Sequence, residues 1–205
     1  AAVMDWKEDN LLCVIPARGG STRIPGKNKK PFMGPLGQPI ITYSIEKAKA
    51  SGLFREIVVS SDDPEIRQIA ESMGVTGEMR AHNLCDNETG TQRVGKYVLQ
   101  SCRLWATTVC ILYPTAPLMA VEDLRKAYHL LKKSPVGTKY VYSVDVDGKD
   151  CGQFYWCDAI ALIAETPLDG PETQHYKVSR MRACDINTPE DFSRAEEMYL
   201  ALPGD

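Results

Sequence analysis

The sequence predicts an α/β protein with a mostly parallel sheet and helices on both faces. Three observations lead there. Short continuous apolar runs alternate with amphipathic stretches of helical spacing, the order that builds right-handed βαβ units. Of 205 residues, 43% are hydrophobic and 25% charged, which are globular proportions rather than those of a disordered or coiled-coil chain. The length suits a single domain, 1–205, with core enough to fold without a disulfide or metal staple.

Leu11-Leu12-Cys13-Val14-Ile15 is an unbroken apolar run, the pattern of a strand buried on both faces. Pro39 to Ser51 predicts a helix, with Ile41, Ile45 and Ala48 on one face and Gly52 as its stop. Glu56 to Ser61 is a second strand. Asp63 caps the next helix, with Pro64 at its first position and Glu65 in its first turn. That helix ends near Met73, before Gly74. Thr91 to Arg103 predicts a helix, Thr107 to Tyr113 a third buried strand, and Val121 to Lys133 an amphipathic helix. Tyr140 to Val144 and Gly152 to Cys157 read as strands. Thr188-Pro189-Glu190-Asp191 opens the last helix, which runs to about Leu200, with a hydroxyl cap, a proline and acids in the first turn.

Composition excludes several classes of function. A net charge of -3, from Lys+Arg 24 against Asp+Glu 27, is not that of a general nucleic-acid binder, though it leaves room for a local basic pocket. No apolar run reaches the length of a membrane span. Ala1 to Asn10 carries Asp5, Glu8 and Asp9 and lacks the layout of a signal peptide, so the expectation is a cytoplasmic protein. The 7 cysteines are odd in number and form no C-x-x-C pair, and His82, His129 and His175 are scattered. Reduced, buried thiols are therefore expected, not a zinc site or a disulfide framework.

In parallel α/β sheets ligands bind beyond the carboxyl ends of the strands, here after Ile15, Ser61 and Tyr113. The first of these places is the richest stretch of the chain. Residues Pro16 to Lys30 combine three glycines (Gly19, Gly20, Gly26) with the cations Arg18, Arg23, Lys27, Lys29 and Lys30. Glycines let backbone N–H groups turn toward an anion, and arginine grips phosphate oxygens through paired hydrogen bonds. The stretch reads as a polyphosphate cradle. It is neither a Walker A loop, since Gly20 and Gly26 are too far apart and Asn28 follows Lys27, nor a G-x-G-x-x-G fingerprint.

Pro-Ala-Arg-Gly-Gly-Ser-x-Arg-Ile-Pro-x-Lys-Asn after an N-terminal strand resembles the cytidylyltransferases that activate acidic keto sugars. These are the CMP-sialic acid synthetases and their relatives for pseudaminic acid, legionaminic acid and KDO. The resemblance continues through Ser60-Ser61-Asp62-Asp63, Thr89-Gly90-Thr91, Tyr113-Pro114-Thr115-Ala116-Pro117-Leu118, Gly152-Gln153-Phe154-Tyr155-Trp156 and Asp185 to Phe192. The Tyr-Pro-Thr-Ala-Pro and Gly-Gln-Phe-Tyr-Trp segments look most like the pseudaminic acid branch.

The resemblance implies the three-layer α/β/α nucleotide-diphospho-sugar transferase (Rossmann-like) fold. It implies a reaction of CTP with a sugar acid, Mg²⁺ on the phosphates and a homodimer, with no nucleic-acid or membrane partner. By the same resemblance, Arg18 and Lys27 carry catalysis by holding the triphosphate. Ala17, Gly19, Gly20 and Ser21 belong to the nucleotide loop, and Asn28 lies near the ribose or phosphates. Arg80, Thr89 and Thr91 match the positions that read cytosine. Tyr113, Thr115, Gln153 and Tyr155 fall on the sugar side. Asp185 matches the first metal aspartate. Asn187 stands where the family typically has a second, and its amide oxygen is a ligand without charge.

Thr22 replaces the lysine usual in the sialic and pseudaminic branches, and Tyr113 replaces the glutamine that contacts sugar in sialic acid synthetases. Ser21 to Lys27 suggests CMP-KDO synthetase as the alternative, and Asn187 with Thr22 suggests a non-catalytic nucleotide-binding relative. Asp62 and Asp63 are candidate metal ligands, although a cap before Pro64 explains Asp63 better. Only Asp145 to Asp150 connects the two late strands, where relatives carry a long arm, so a shortened dimerisation and sugar-site arm is expected around 145–151.

Overall fold

The computed structural model describes residues 10–80, 84, 90–134 and 137–203. Its strands are β1 (Leu11–Pro16), β2 (Glu56–Ser61), β3 (Thr76–Met79), β4 (Thr108–Leu112), β5 (Tyr140–Val144), β6 (Asp150–Asp158) and β7 (Thr173–Lys177). Its helices are α1 (Ile40–Ser51), α2 (Pro64–Ser72), α3 (Thr91–Gln100), α4 (Val121–Lys133), α5 (Ala159–Ile163) and α6 (Pro189–Leu200). The strands form one sheet in the order β3-β2-β1-β4-β6-β5-β7. All pair in parallel except β6, which runs antiparallel to β4 and β5.

The alternation of side chains across the pleat builds two cores from the same strands. Cys13, Ile15, Val59, Cys110, Leu112, Phe154 and Trp156 face α1, α2 and α4. Leu12, Val14, Val58, Val109, Ile111, Tyr155 and Cys157 face α3 and α5. β1 and β4 are buried along their whole length, because helices cover both faces there. Cys13, Cys110, Cys151, Cys157 and Cys184 are buried free thiols, and Cys102 is exposed.

Three elements escaped the sequence pattern. β3 is a four-residue edge strand with no fully buried side chain. β7 is another edge, too polar to read as a strand. α5 has only five residues. The helix expected to reach Arg103 stops at Gln100, because Cys102 takes a left-handed φ of 64°. Arg103 then turns back to pair with Glu56 on β2 and Glu78 on β3, each at 2.7 Å. Burial pushes the Glu56 carboxyl up, but the hydrogen bonds and charge of Arg103 outweigh it and leave it below the usual range.

The connection between β5 and β6 is a closed hairpin. Asp145 Oδ1 accepts the N–H groups of Asp147 (2.8 Å) and Lys149 (3.0 Å), and the Asp145 N–H donates to Lys149 O at 2.7 Å. This side-chain-backed turn satisfies its own backbone without further chain.

Candidate active site

Because β1, β2, β3 and β4 are parallel, the loops after them share one edge of the sheet. A cavity of about 380 Å³ opens there. Pro16, Arg18, Gly20, Ser21, Lys27 and Asn28 line it from the loop after β1. Arg80 follows β3, Tyr113 and Thr115 follow β4, Thr91 starts α3, and Asn187 precedes α6.

The loop after β1 is held from beneath by β2 and α2. The Ala17 N–H donates to Ser60 O at 2.9 Å, and the Gly19 N–H to Asp62 Oδ1 at 2.7 Å. Asp63 caps α2 through the Glu65 N–H at 2.9 Å and also binds Lys29 Nζ at 2.8 Å. A Cβ on residue 19 would stand 2.9 Å from Asp63 Cβ, so glycine allows this close approach. Asp62 and Asp63 thus set the shape of the loop. Gly20 and Ser21, the next two residues, line the cavity; Gly19 has its N–H engaged and Ala17 is buried behind.

Asn28 is 7% exposed. Its Nδ2 donates to Arg18 O at 2.9 Å, while its Oδ1 is buried with no partner. An unsatisfied buried acceptor on a cavity wall is an open position for a ligand O–H or N–H. Lys27 Nζ donates to Ile186 O at 3.1 Å. Burial lowers the Lys27 pKa; Asp185 opposes this, and Arg18 and Arg23 add to it. A cation held among cations in a partly dry site gains from an arriving anion.

α6 brings in the opposite wall. Thr188 and Asp191 form its capping box, and Asp191 Oδ2 also accepts the Asn187 N–H at 2.9 Å. Edge-to-face contacts join Phe32 to Tyr43, Phe192 and Tyr199, with centroids 5.1 to 5.7 Å apart. Glu196 accepts the N–H groups of Met33 and Gly34. This cluster ties the long segment after β1 to α6, so the Asp185 to Asn187 turn faces Lys27.

The antiparallel half supplies the last wall. The Tyr113 and Tyr155 hydroxyls lie 3.3 Å apart. Burial pushes the Tyr113 phenol far up, with the charges of Asp150 and Asp185 in the same direction. Gly152 takes a φ of 70°, and a Cβ there would stand 2.5 Å from Asp185 Oδ1; only glycine lets β6 pass this close to the carboxylate.

The structure therefore gathers Arg18, Gly20, Ser21, Lys27, Asn28, Arg80, Thr91, Tyr113, Thr115 and Asn187 around one cavity. Asp185 sits just behind, against Gly152. Gln153 is 2% exposed and donates to Arg182 O at 2.7 Å, and Tyr155 reaches the cavity only through Tyr113. Thr89 lies outside the described residues. Sequence reasoning missed Asp150. It opens β6 and accepts the Gly152 N–H at 2.9 Å, and its carboxyl is raised by burial, with Asp185 adding to the shift. No motif marks it, since only the antiparallel register of β6 carries it to this edge.

Among the described residues no three His, Cys, Asp or Glu side chains cluster to hold a metal ion. Asp185 and Asn187 offer a carboxylate and an amide oxygen. Such a hard-oxygen pair suits Mg²⁺ when substrate phosphates complete the shell.

A mostly parallel α/β sheet with a cation-lined cleft at its carboxyl edge is the architecture of the nucleotidyltransferases. The chain belongs to the cytidylyltransferase family, whose model matches residues 12–164. Over 224 aligned positions it is 34% identical to a pseudaminic acid cytidylyltransferase from Campylobacter jejuni, covering 92% of this chain and 95% of that protein. Those positions outnumber the 205 residues here, so that relative carries residues inside the matched span that this chain lacks. A CMP-N,N'-diacetyllegionaminic acid synthase from Legionella pneumophila is 34% identical over 129 residues, 60% of this chain and 53% of that protein. The solved structure of a CMP:2-keto-3-deoxy-manno-octonic acid synthetase complexed with CTP superposes with a TM-score of 0.73. It covers 94% of this chain and 99% of that one at 16% identity, a likeness of fold.

Proposed function

We propose that this cytidylyltransferase joins CTP to a nonulosonic acid, pseudaminic acid being favoured, to give the CMP-sugar and pyrophosphate. One observation carries the reading: the arginine, lysine and asparagine of the loop after β1 share a single cavity with Arg80 and Thr91. The similarity to the Campylobacter protein along nearly the whole chain supports the choice of sugar.

In this reading the sugar's anomeric hydroxyl attacks the α-phosphorus and pyrophosphate leaves. Little covalent work falls to the protein, and positioning and charge do most of it. Arg18 and Lys27 hold the triphosphate, with Gly20 and Ser21 beneath it and Ala17 and Gly19 shaping the loop. Asn28 Oδ1 accepts from the ribose. Arg80 donates to the cytosine carbonyl, while Thr91, with Thr89 before it, meets the ring edge. Tyr113 and Thr115 border the sugar, with Gln153 and Tyr155 supporting them. Asp185 and Asn187 would hold Mg²⁺, which when bound neutralises phosphate charge. The protein acts in the cytoplasm as a homodimer, and the short hairpin at 145–150 takes the place of a longer arm.

The test incubates the purified protein with CTP, Mg²⁺ and a panel of pseudaminic, legionaminic, sialic and KDO acids, and reads products by mass spectrometry. CMP-pseudaminic acid is expected. CMP-KDO alone would move the assignment to that branch, and no pyrophosphate from any sugar would overturn it.

A further inference from the structure

The segment between β4 and α4 is a loop, yet Pro114 to Met119 are all buried. Connecting segments normally stay at the surface, because buried backbone N–H and C=O groups need partners that neither sheet nor helix supplies there. Pro114 and Pro117 sharpen the need, since each adds a carbonyl and no donor.

The partners come from outside the loop. On α1, the Ser44 hydroxyl donates to Tyr113 O at 2.7 Å and accepts the Ala116 N–H at 3.4 Å. Three residues on, along the same face of the helix, Lys47 Nζ donates to both Pro117 O and Met119 O. Arg182 Nη1, from the chain before α6, donates to Leu118 O at 3.1 Å. Thr115 therefore sits between two anchors on one helix, Ser44 and Lys47. Pro114 and Thr115 line the cavity, whereas Lys47, Met119 and Arg182 line a separate groove. An ammonium suits the second anchor: it gathers several donors at one point, so two carbonyls two residues apart can converge on it. A hydrocarbon chain in its place would leave both carbonyls buried and unpaired.

We infer that Lys47 is a positioning residue for the acceptor sugar: by drawing the Pro117 and Met119 carbonyls onto α1, it sets the place of Thr115 on the cavity wall. The inference rests on the reading above that puts Thr115 on the sugar side. The nucleotide loop after β1 is held independently, by Ser60, Asp62 and Asp63. Loss of Lys47 thus acts on one substrate and spares the other. A change in electrostatic field alone would not do so, because CTP carries more negative charge than a sugar acid and would be weakened at least as much.

Steady-state kinetics of the full protein, with CTP and the sugar acid that the wild type accepts varied in turn, test this in Lys47→Met. KM for the sugar is expected to rise about ten-fold with KM for CTP unchanged, the scale of a displacement by a fraction of an ångström. Thr115→Ala should raise the same constant, and adding Lys47→Met to it should raise it little further, because both act at one point. Hydrogen exchange at the Met119 amide should quicken in Lys47→Met while β1 stays protected. Thermal melting checks folding. If Lys47→Met does not fold, Arg182→Met, which releases the single Leu118 carbonyl, carries the test with a smaller rise. An unchanged KM for the sugar in a folded variant overturns the inference, as does an equal rise for both substrates or full additivity with Thr115→Ala; cytidylyl transfer by the wild type would still stand. A wild type that turns over no sugar acid overturns the proposed function, and this inference with it.

Discussion

The two halves of the sheet meet at β4 and build their share of the site by different means. In the parallel half, a strand end feeds one loop, and the loop carries the chemistry within one short segment: Arg18, Gly20, Ser21, Lys27, Asn28. The Ser60 carbonyl at the end of β2 and the carboxylates of Asp62 and Asp63, just before α2, shape it. Among the described residues, no loop of the antiparallel half carries anything comparable. The wall there is Tyr113, backed by Tyr155 and Asp150, which the register of β6 brings together across strands. A site built along the chain is exposed, charged and replaceable residue by residue. A site built across the chain depends on the core beneath it.

That contrast predicts opposite behaviour on mutation. Arg18→Ala should lower kcat/KM for CTP by about 10³-fold, as expected on removing a preorganised charge donor, with the melting temperature nearly unchanged. A large loss of stability instead would make the loop part of the core. Trp156→Ala should do the reverse. Trp156 is fully buried on β6, donates to Leu124 O at 3.1 Å and packs on Phe54 and Tyr128. Its loss should cost about 3–5 kcal/mol in denaturant unfolding and weaken activity only through folding.

Asp63→Ala tests the support of the parallel half. It removes the cap of α2, for about 1–2 kcal/mol, and with it the bridge to Lys29, and should raise KM for CTP by loosening the loop. Burial pushes the Asp63 carboxyl up, but Lys29 and backbone N–H groups outweigh it and leave it lowered. The contribution is therefore complete above the ordinary carboxylate range and is lost only as pH falls through the lowered value. An acid titration of wild type and variant should converge there. The smallest effect is expected at the hairpin, where Asp145→Ala removes two turn hydrogen bonds for about 0.5–1 kcal/mol without touching CTP affinity.

The same contrast explains what could be read from the sequence. β1, β2, β4 and their helices announce themselves by apolar runs and caps, and the loop after β1 holds its chemistry contiguously. β3 and β7 are edges with little burial, so their pattern is weak. The direction of β6 was not legible, because a buried strand shows the same run of apolar residues either way. With it went Asp150, a residue whose meaning comes from a neighbour across the sheet.

The central claim is that the cavity at the carboxyl edge transfers the cytidylyl group of CTP to a sugar acid. Phosphorus NMR of the protein with CTP, Mg²⁺ and pseudaminic acid tests it most directly. The account predicts that the α-phosphorus passes into a phosphodiester while the β and γ phosphorus atoms appear as pyrophosphate, one for one, and that Arg18→Ala slows the growth of both signals about 10³-fold. CTP that binds but stays intact with every sugar acid offered, or release of inorganic phosphate in place of pyrophosphate, would contradict it.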